Sequence, residues 1–324
     1  MVTRADVARL AGTSTAVVTY VINNGPRPVA TQTRERVLRA IEELGYRPNV
    51  LARALKAGTT QTVGFVVPDS RNPFFAELAH ALEDVLFASG YALLVSNSAD
   101  SLEREREHVR VLLDRQVDAV LLISLAGAAE VEQIIGAKKP AIVLHRVSGD
   151  SSASSICIDD KQAAFDIVHH LRADHGIDDI AMISGPPGAA VSAERERGWA
   201  RAVTGDGRVV HETFSIAGGH AGAMRLLADA GRPRAVFAAN DQQAIGVLKA
   251  AADLGLRVPD DVAVAGFDGT VESQFSVPSL TTVVQPSRQI AEAAFEILRT
   301  PQADTPVRRM LPHRLALRDS CGRH

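Results

Sequence analysis

The chain has 324 residues, 46% hydrophobic and 23% charged, with 35 Lys/Arg against 38 Asp/Glu for a net charge of −3. This composition excludes a disordered or fibrous chain and supplies enough apolar residues for more than one core. Two cysteines, Cys157 and Cys321, give neither a disulfide framework nor metal-ligand spacing. With no secretory leader and no apolar run of roughly 18 residues, the expectation is a cytoplasmic protein with no membrane partner.

The charge is unevenly placed. Residues 1–58 hold nine Lys/Arg against four Asp/Glu, a net of +5, so the remainder carries −8 within the whole-chain −3. A basic head on an acidic body fits one end that meets a polyanion. A solvated basic helix surface has the same charge, so the local pattern must decide. Thr3 and Asp6 open a first helix with a capping-box-like start. Val7, Leu10 and Ala11 give it an apolar face. Gly12 supplies the left-handed backbone of a tight turn, and Ser14 is a good N-cap for a second helix. Val17, Val18, Val21 and Ile22 form the inward stripe of that helix, leaving Thr15, Ala16, Thr19, Tyr20 and Asn23 outside. Small polar groups at a helix N-terminus suit the major groove of DNA. A third helix over residues 31–44, with Val37, Leu38, Ile41 and Leu44, closes a three-helix core. Pro48 then stops the head. Asn49 can cap a short helix from Val50 to Lys56, which is too short to be stable alone.

From Thr62 onward, apolar runs alternate with helical stretches. Strands are predicted at 63–67, 92–95, 119–123, 141–144, 156–158, 180–183, 236–239 and 262–266. Near-continuous apolar strands separated by helices indicate parallel sheet covered on both faces. The body is large for one sheet, so two α/β lobes with a cleft between them are expected.

Polar residues gather where strands end. Asn72-Pro73-Phe74-Phe75 follows the first strand, Arg146 follows the run at 142–145, Asn240 closes the strand at 236–239, and Asp268 follows Gly266-Phe267. The C-terminal ends of strands are where open α/β sheets bind ligands. An aromatic ring with Asn, Asp and Arg is the chemistry of sugar recognition, and a nucleobase could use the same parts. Alternatives stay open: Phe75 as core, Asn240 as a helix cap, His145 as a structural histidine. An acid such as Asp268, directly after a buried strand, has little structural need. The chain has no nucleophile elbow, P-loop, dinucleotide fingerprint or metalloprotease motif. No catalytic residue, metal ligand or cofactor is therefore assigned.

The head carries Asp6-Val7-Ala8, Ala11-Gly12, Ser14, Val21-Ile22-Asn23, residues 33–37, Leu44-Gly45-Tyr46-Arg47-Pro48-Asn49 and residues 52–56 in register. With these it resembles the headpiece of the lactose-repressor/galactose-repressor (LacI/GalR) family of bacterial transcription regulators. The resemblance implies base contacts from Thr15 and Ala16, and phosphate or base contacts from Thr19 and Asn23. Thr3 and Ser14 join this DNA-facing set. Tyr20 either faces DNA or covers the headpiece core. Leu55 matches the family's minor-groove wedge, or serves as a contact between paired hinges. Arg53 and Lys56 flank it, and Asn49 lies at the hinge start. Val17-Val18-Thr19-Tyr20 departs from the usual Thr-Val-Ser-Arg, removing an arginine that could grip guanine.

The resemblance extends over the body and implies a periplasmic-binding-protein-like fold of two doubly wound lobes behind an all-α helix-turn-helix headpiece. The expected divisions are a headpiece over 1–47, a hinge over 48–60 and an effector and dimerisation domain over 61–324. The N-lobe would comprise about 61–157 and 288–309, and the C-lobe about 159–285 and 313–324, with crossings near 157–160, 285–288 and 309–313. Implied effector contacts are Asn72, Phe74, Arg146, Asp159, Arg195, Asn240 and Asp268. His145 stands where the family often has the acid of an Asp-Arg pair. The expected function is a nucleoid-associated repressor that binds double-stranded operator DNA as a homodimer, its pseudo-palindromic site controlled by a small-molecule effector, a sugar or derivative. The alternative is a sugar-binding receptor of the same fold without DNA activity.

Overall fold

Thr3 starts α1 (Arg4–Leu10) with a full capping box. Its Oγ1 accepts from the Asp6 amide, while its own amide donates to the Asp6 carboxylate at 2.9 Å. The computed structural model describes residues 2–22, 28–46, 58–124, 141–144, 153–204, 207–300 and 305–324. These divide into two units, Met1–Thr60 and Gln61–His324.

In the first unit, Gly12 turns the chain with φ +59° into α2 (Thr15–Ile22), where the Val17 amide donates to Ser14 Oγ. Helix α3 (Thr31–Leu44) ends at Gly45 in the left-handed conformation. There the amides of Gly45 and Tyr46 bond back to Glu42 and Ile41. Val7, Ala8, Ala11, Val18, Val21, Val37, Ala40 and Tyr46 form the core of the three helices. Two residues expected in that core are instead exposed, Leu10 at 47% and Leu38 at 49%. Each follows the buried stripe by a step that turns it outward. On α1 the stripe runs through Val7, Ala8 and Ala11, and on α3 it runs through Val37 and Ala40. The expected hinge helix, with Asn49, Arg53, Leu55 and Lys56, and the residue Asn23 lie outside the described residues.

Among the described residues, the second unit holds two six-stranded sheets. In chain order its elements begin β1 (Thr62–Val67), α4 (Pro73–Phe87), β2 (Ala92–Asn97), α5 (Leu102–Asp114), β3 (Ala119–Leu122), β4 (Ala141–Val143) and β5 (Ser154–Cys157). Next come α6 (Asp160–Ala173), β6 (Ile180–Ser184), α7 (Ala190–Ala202), β7 (Val209–His211), α8 (Ile216–Leu227) and β8 (Ala235–Ala238). The last are α9 (Asp241–Asp253), β9 (Ala263–Asp268), α10 (Val271–Phe275), β10 (Thr281–Val284), α11 (Ser287–Arg299), β11 (Arg308–Met310) and β12 (Arg314–Ala316). The N-lobe sheet has the order β2-β1-β3-β4-β5-β11, all parallel. The C-lobe sheet has the order β7-β6-β8-β9-β10-β12, with only β12 antiparallel.

Among the described residues, the chain passes between sheets three times: from β5 to α6, from β10 to α11, and from β11 to β12. Strands β1, β3, β6, β8 and β9 are buried along almost their whole length, as covering on both faces requires. Strands β7, β10, β11 and β12 had no apolar run to announce them. Three are only three residues long, and β10 opens with two buried threonines. Across the lobes, Glu77 of α4 accepts from the Val271 amide at the start of α10. Among the described residues, no helix is long and apolar enough to cross a membrane.

Helices α8 and α9 pack backbone to backbone through glycines. A Cβ at Gly246 would lie 2.2 Å from the Ile216 carbonyl oxygen, and one at Gly219 would lie 2.1 Å from that of Gln243. Neither helix can move apart without opening the C-lobe core. Gly246→Ala is therefore expected to cost about 1–3 kcal/mol through overpacking. In a unit of this size that lowers Tm by roughly 2–12 °C. A thermal melt checks it, and an unchanged Tm would show that the two backbones are not in forced contact.

Candidate ligand cleft and nucleic-acid interface

Both sheets point the C-terminal ends of their strands into one cleft. The space inside it, open solvent included, is about 840 Å³. On the N-lobe side, Asn72 caps α4 by accepting from the Phe74 amide at 3.0 Å. That cap presents Phe74 and Phe75 to the cleft, edge to face with centroids 5.5 Å apart. Asp100 and Ser124 line the same side, and Glu105 accepts from the Ser124 hydroxyl at 2.6 Å.

On the C-lobe side, Arg195 reaches in from α7 and is almost fully buried. Its Nε donates to Asp160 Oδ1 at 2.9 Å and its Nη1 to the Ala239 carbonyl at 2.6 Å. The guanidinium lies 3.6 Å above the Phe267 ring centroid, which fixes its plane. Asp268 Oδ1 sits 3.9 Å from Nη1 and accepts from Gln285 Nε2 at 2.9 Å. Asp268 has φ +118°, a strained conformation for a residue with a Cβ. Such strain persists where the surroundings enforce it, and it collects at functional positions. Beneath it, Asp241 accepts from the Thr270 amide and hydroxyl, the Gly269 amide and the Thr282 hydroxyl.

Five of the residues expected to meet an effector line this cleft: Asn72, Phe74, Arg195, Asn240 and Asp268. Asn240 also caps α9, its Oδ1 accepting from the Gln243 amide at 2.8 Å, so the residue lines the cleft and serves as a helix cap at once. Asp159 is not in the lining. It caps α6 by accepting from Gln162 N at 3.0 Å, and its neighbour Asp160 holds Arg195 instead. The chain turns from strand crossing to helix at this point, and a shift of one residue exchanges the capping carboxylate for the cleft carboxylate. Arg146 lies outside the described residues. Sequence reasoning missed Asp160, Gln285, Asp100 and Ser124. Gln285, which follows β10 into the second crossing, was the one with a readable signal.

Burial raises the Asp160 carboxyl while Arg195 opposes it. Burial pushes Asp268 up to about 8, with Arg195 opposing and the Asp241 charge adding. A carboxyl whose native pKa is raised favours the fold fully below its unfolded pKa. That stability is lost as pH rises through the native value, because ionisation is what burial penalises. Asp268→Asn keeps the shape and loses the charge. It is expected to melt several degrees above the wild type at pH 8, the gap closing by about pH 4. A gap independent of pH would contradict the assignment.

In the first unit, Thr15 and Ala16 are exposed at the start of α2, while Thr19 and Tyr20 are half-buried. Thr19 donates to the Thr15 carbonyl at 2.8 Å and accepts from Arg4 Nη1 at 3.2 Å. The same face thus carries a guanidinium that sequence reasoning had not singled out. Thr3 and Ser14 spend their hydroxyls on the caps of α1 and α2. Helix α2 has no acid in its first turn, so nothing there repels a phosphate.

A helix-turn-helix head in one chain with a two-lobed binding cleft defines a ligand-responsive, DNA-binding transcriptional regulator, not an enzyme. Residues 3–49 match the family of bacterial regulatory proteins, lacI family, and residues 168–321 match the periplasmic binding protein-like domain. The chain is 36% identical to catabolite control protein A of Priestia megaterium over 98% of this chain and 99% of that one. It is 35% identical to the HTH-type transcriptional repressor PurR of Vibrio campbellii over 92% of this chain and 91% of that one. Among solved structures it resembles a lac repressor dimer bound to operator and an anti-inducer, with TM-score 0.87, 27% identity and 99% of both chains covered. It also resembles the transcriptional regulator CelR in complex with cellobiose, with TM-score 0.70, 29% identity, and 99% of this chain and 100% of that one covered. The chain belongs to the lacI family of bacterial regulatory proteins.

Proposed function

We propose that the protein is a cytoplasmic, homodimeric repressor that binds a pseudo-palindromic operator and is controlled by an uncharged, hydroxyl-rich effector, a sugar or close derivative. The observation that carries the effector class is the hydrogen-bonding character of the cleft. Asp69, Asp100, Asp160 and Asp268 line it against Arg195, the one basic lining residue among the described residues. Asp268, held protonated at neutral pH by burial, and its neighbouring carboxyls exchange hydrogen bonds with neutral hydroxyls, while the Arg195 guanidinium is already held by Asp160 and the Ala239 carbonyl and is not spare for a phosphate or carboxylate group. Phe74 and Phe75 offer rings against which sugar C–H groups stack. Asn72, Asn240, Arg195 and Asp268 are the polar partners in this reading, with Asp160 in place of Asp159. The CelR complex, a relative holding a sugar, agrees with this class. A thermal-shift screen of neutral sugars, sugar phosphates and nucleobases tests it. A neutral sugar should raise Tm, and a response confined to phosphates or nucleobases would overturn the sugar reading.

On the DNA side, Thr15 and Ala16 read bases in the major groove, Thr19, Tyr20 and Arg4 border them, and the hinge residues Asn49, Arg53, Leu55 and Lys56 engage the minor groove. Homodimerisation is supported by apolar side chains left in solvent on both lobes, with Phe87 at 79%, Val95 at 50%, Phe275 at 78% and Val277 at 92% exposure. Such residues are covered by partners more often than left bare in clusters. Phosphate contacts from a basic head release counterions. Affinity for DNA should therefore fall on the order of 10³-fold between 50 and 200 mM salt. A binding titration at several salt concentrations reads this, and a flat salt dependence would contradict the basic head's role.

A further inference from the structure

Four donor side chains converge about 15 Å along α6 from Asp160, at the end of the C-lobe away from the cleft. They are His170 in the last turn of α6, His175 just after it, Cys321 in the single-turn helix Asp319–Cys321, and His324. One ligating atom from each lies within 4.8 Å of all the others. We propose that these residues form a closed zinc(II) site that fastens the C-terminal segment to α6.

The spacing carries the proposal. Tetrahedral Zn²⁺ with Zn–N of about 2.0–2.1 Å and Zn–S of about 2.3 Å separates nitrogens by about 3.3 Å and nitrogen from sulfur by about 3.6 Å. Here His170 Nε2 and His175 Nε2 are 3.3 Å apart. Cys321 Sγ lies 3.6 Å from His170 Nε2 and 3.5 Å from His324 Nε2. A proton can bridge one such pair, whereas a tetrahedral cation engages all four donor atoms at once. Three imidazoles and a thiolate are a zinc donor set, and with no water position the site is structural in kind.

The surroundings fit a metal as well. Asp174 Oδ2 is 2.6 Å from His170 Nδ1, which leaves Nε2 of that ring for the metal in the carboxylate–histidine arrangement common around zinc. Thr281 Oγ1 lies 3.0 Å from Cys321 Sγ and can donate to the thiolate. Gly322 has φ +134°, and a Cβ there would lie 2.8 Å from the His175 ring. Glycine lets the chain turn so that His324 returns over Cys321. His324 Nε2 is also 3.0 Å from the Arg318 carbonyl, a bond it exchanges for the metal. On binding, the Cys321 S–H bond breaks, the sulfur lone pair joins Zn²⁺ and the proton leaves to solvent. The site's charge of +1 is then balanced by Asp174. Cysteine spacing alone hid this site, because its two halves lie some 150 residues apart in the chain.

The test uses untagged full-length protein stripped with a chelator and titrated with Co²⁺, then with competing Zn²⁺. One equivalent of Co²⁺ per chain should give the visible bands of a tetrahedral ion and a thiolate-to-cobalt charge-transfer band, both displaced by Zn²⁺. Cys321→Ser should lose the charge-transfer band, and Asp174→Asn should weaken zinc binding roughly 10–100-fold. His324→Ala alters an exposed side chain, so it tests ligation without threatening the fold. Absence of the charge-transfer band in the wild type, or equal zinc affinity in wild type, Cys321→Ser and His324→Ala, would overturn the proposal.

Discussion

Arg195→Ala is expected to abolish the response to effector and to destabilise the two-lobed unit by about 3–5 kcal/mol, the cost of breaking one side of a buried ion pair. The guanidinium holds Asp160 at 2.9 Å, the Ala239 carbonyl at 2.6 Å and Asp268 at 3.9 Å. It covers the Phe267 ring at the same time. Its removal leaves two buried carboxyls facing each other across an unfilled volume, and desolvation outweighs the benefit of no longer burying a cation. Arg195→Lys separates folding from ligand recognition. A lysine keeps the charge beside Asp160 but has no planar fork to span Asp160 and the Ala239 carbonyl together. It should fold with a smaller loss of Tm and still bind effector at least tenfold more weakly. Wild-type effector affinity in Arg195→Lys would remove the arginine from the recognition set.

Deletion of residues 1–58 is expected to abolish DNA binding and to leave effector binding unchanged within about twofold. The head carries +5 and the remainder −8, so the truncated protein has no basic surface in surplus and is repelled by phosphate. The same deletion decides between a regulator and a receptor of like fold, since a receptor loses nothing with the head. Gel-shift and thermal-shift measurements on one preparation read both quantities. DNA affinity surviving the deletion would contradict the division of labour between the units.

Helix ends and buried strands were legible because their signals are local. The Thr3–Asp6 box, the Gly12 turn and the Gly45 stop each depend on residues within a few positions, and the strands at 62–67 and 180–184 are mostly apolar runs. Leu10 and Leu38 turn outward because the buried stripes of α1 and α3 run through their alanines, Ala8, Ala11 and Ala40, and a small rotation of the stripe moves a leucine to the surface. Strands β7, β11 and β12 are too short to show a period. In the cleft, Asn72, Asn240 and Asp268 stood out as polar residues at or soon after strand ends. Asp160 did not, since two adjacent aspartates at a crossing look alike until the helix start is placed. The zinc ligands His170, His175, Cys321 and His324 were beyond reach, because only the packed C-lobe brings the two pairs together.

The coupling at issue is that occupation of the cleft changes DNA affinity. It is tested most directly by titrating full-length protein onto an operator fragment selected from random sequence, with and without the sugar that most raises its Tm. Operator affinity should shift by about 5–150-fold, typical of coupled sites, and in Arg195→Lys the shift should require at least tenfold more sugar. A sugar that binds the cleft tightly yet leaves operator affinity unchanged would contradict it.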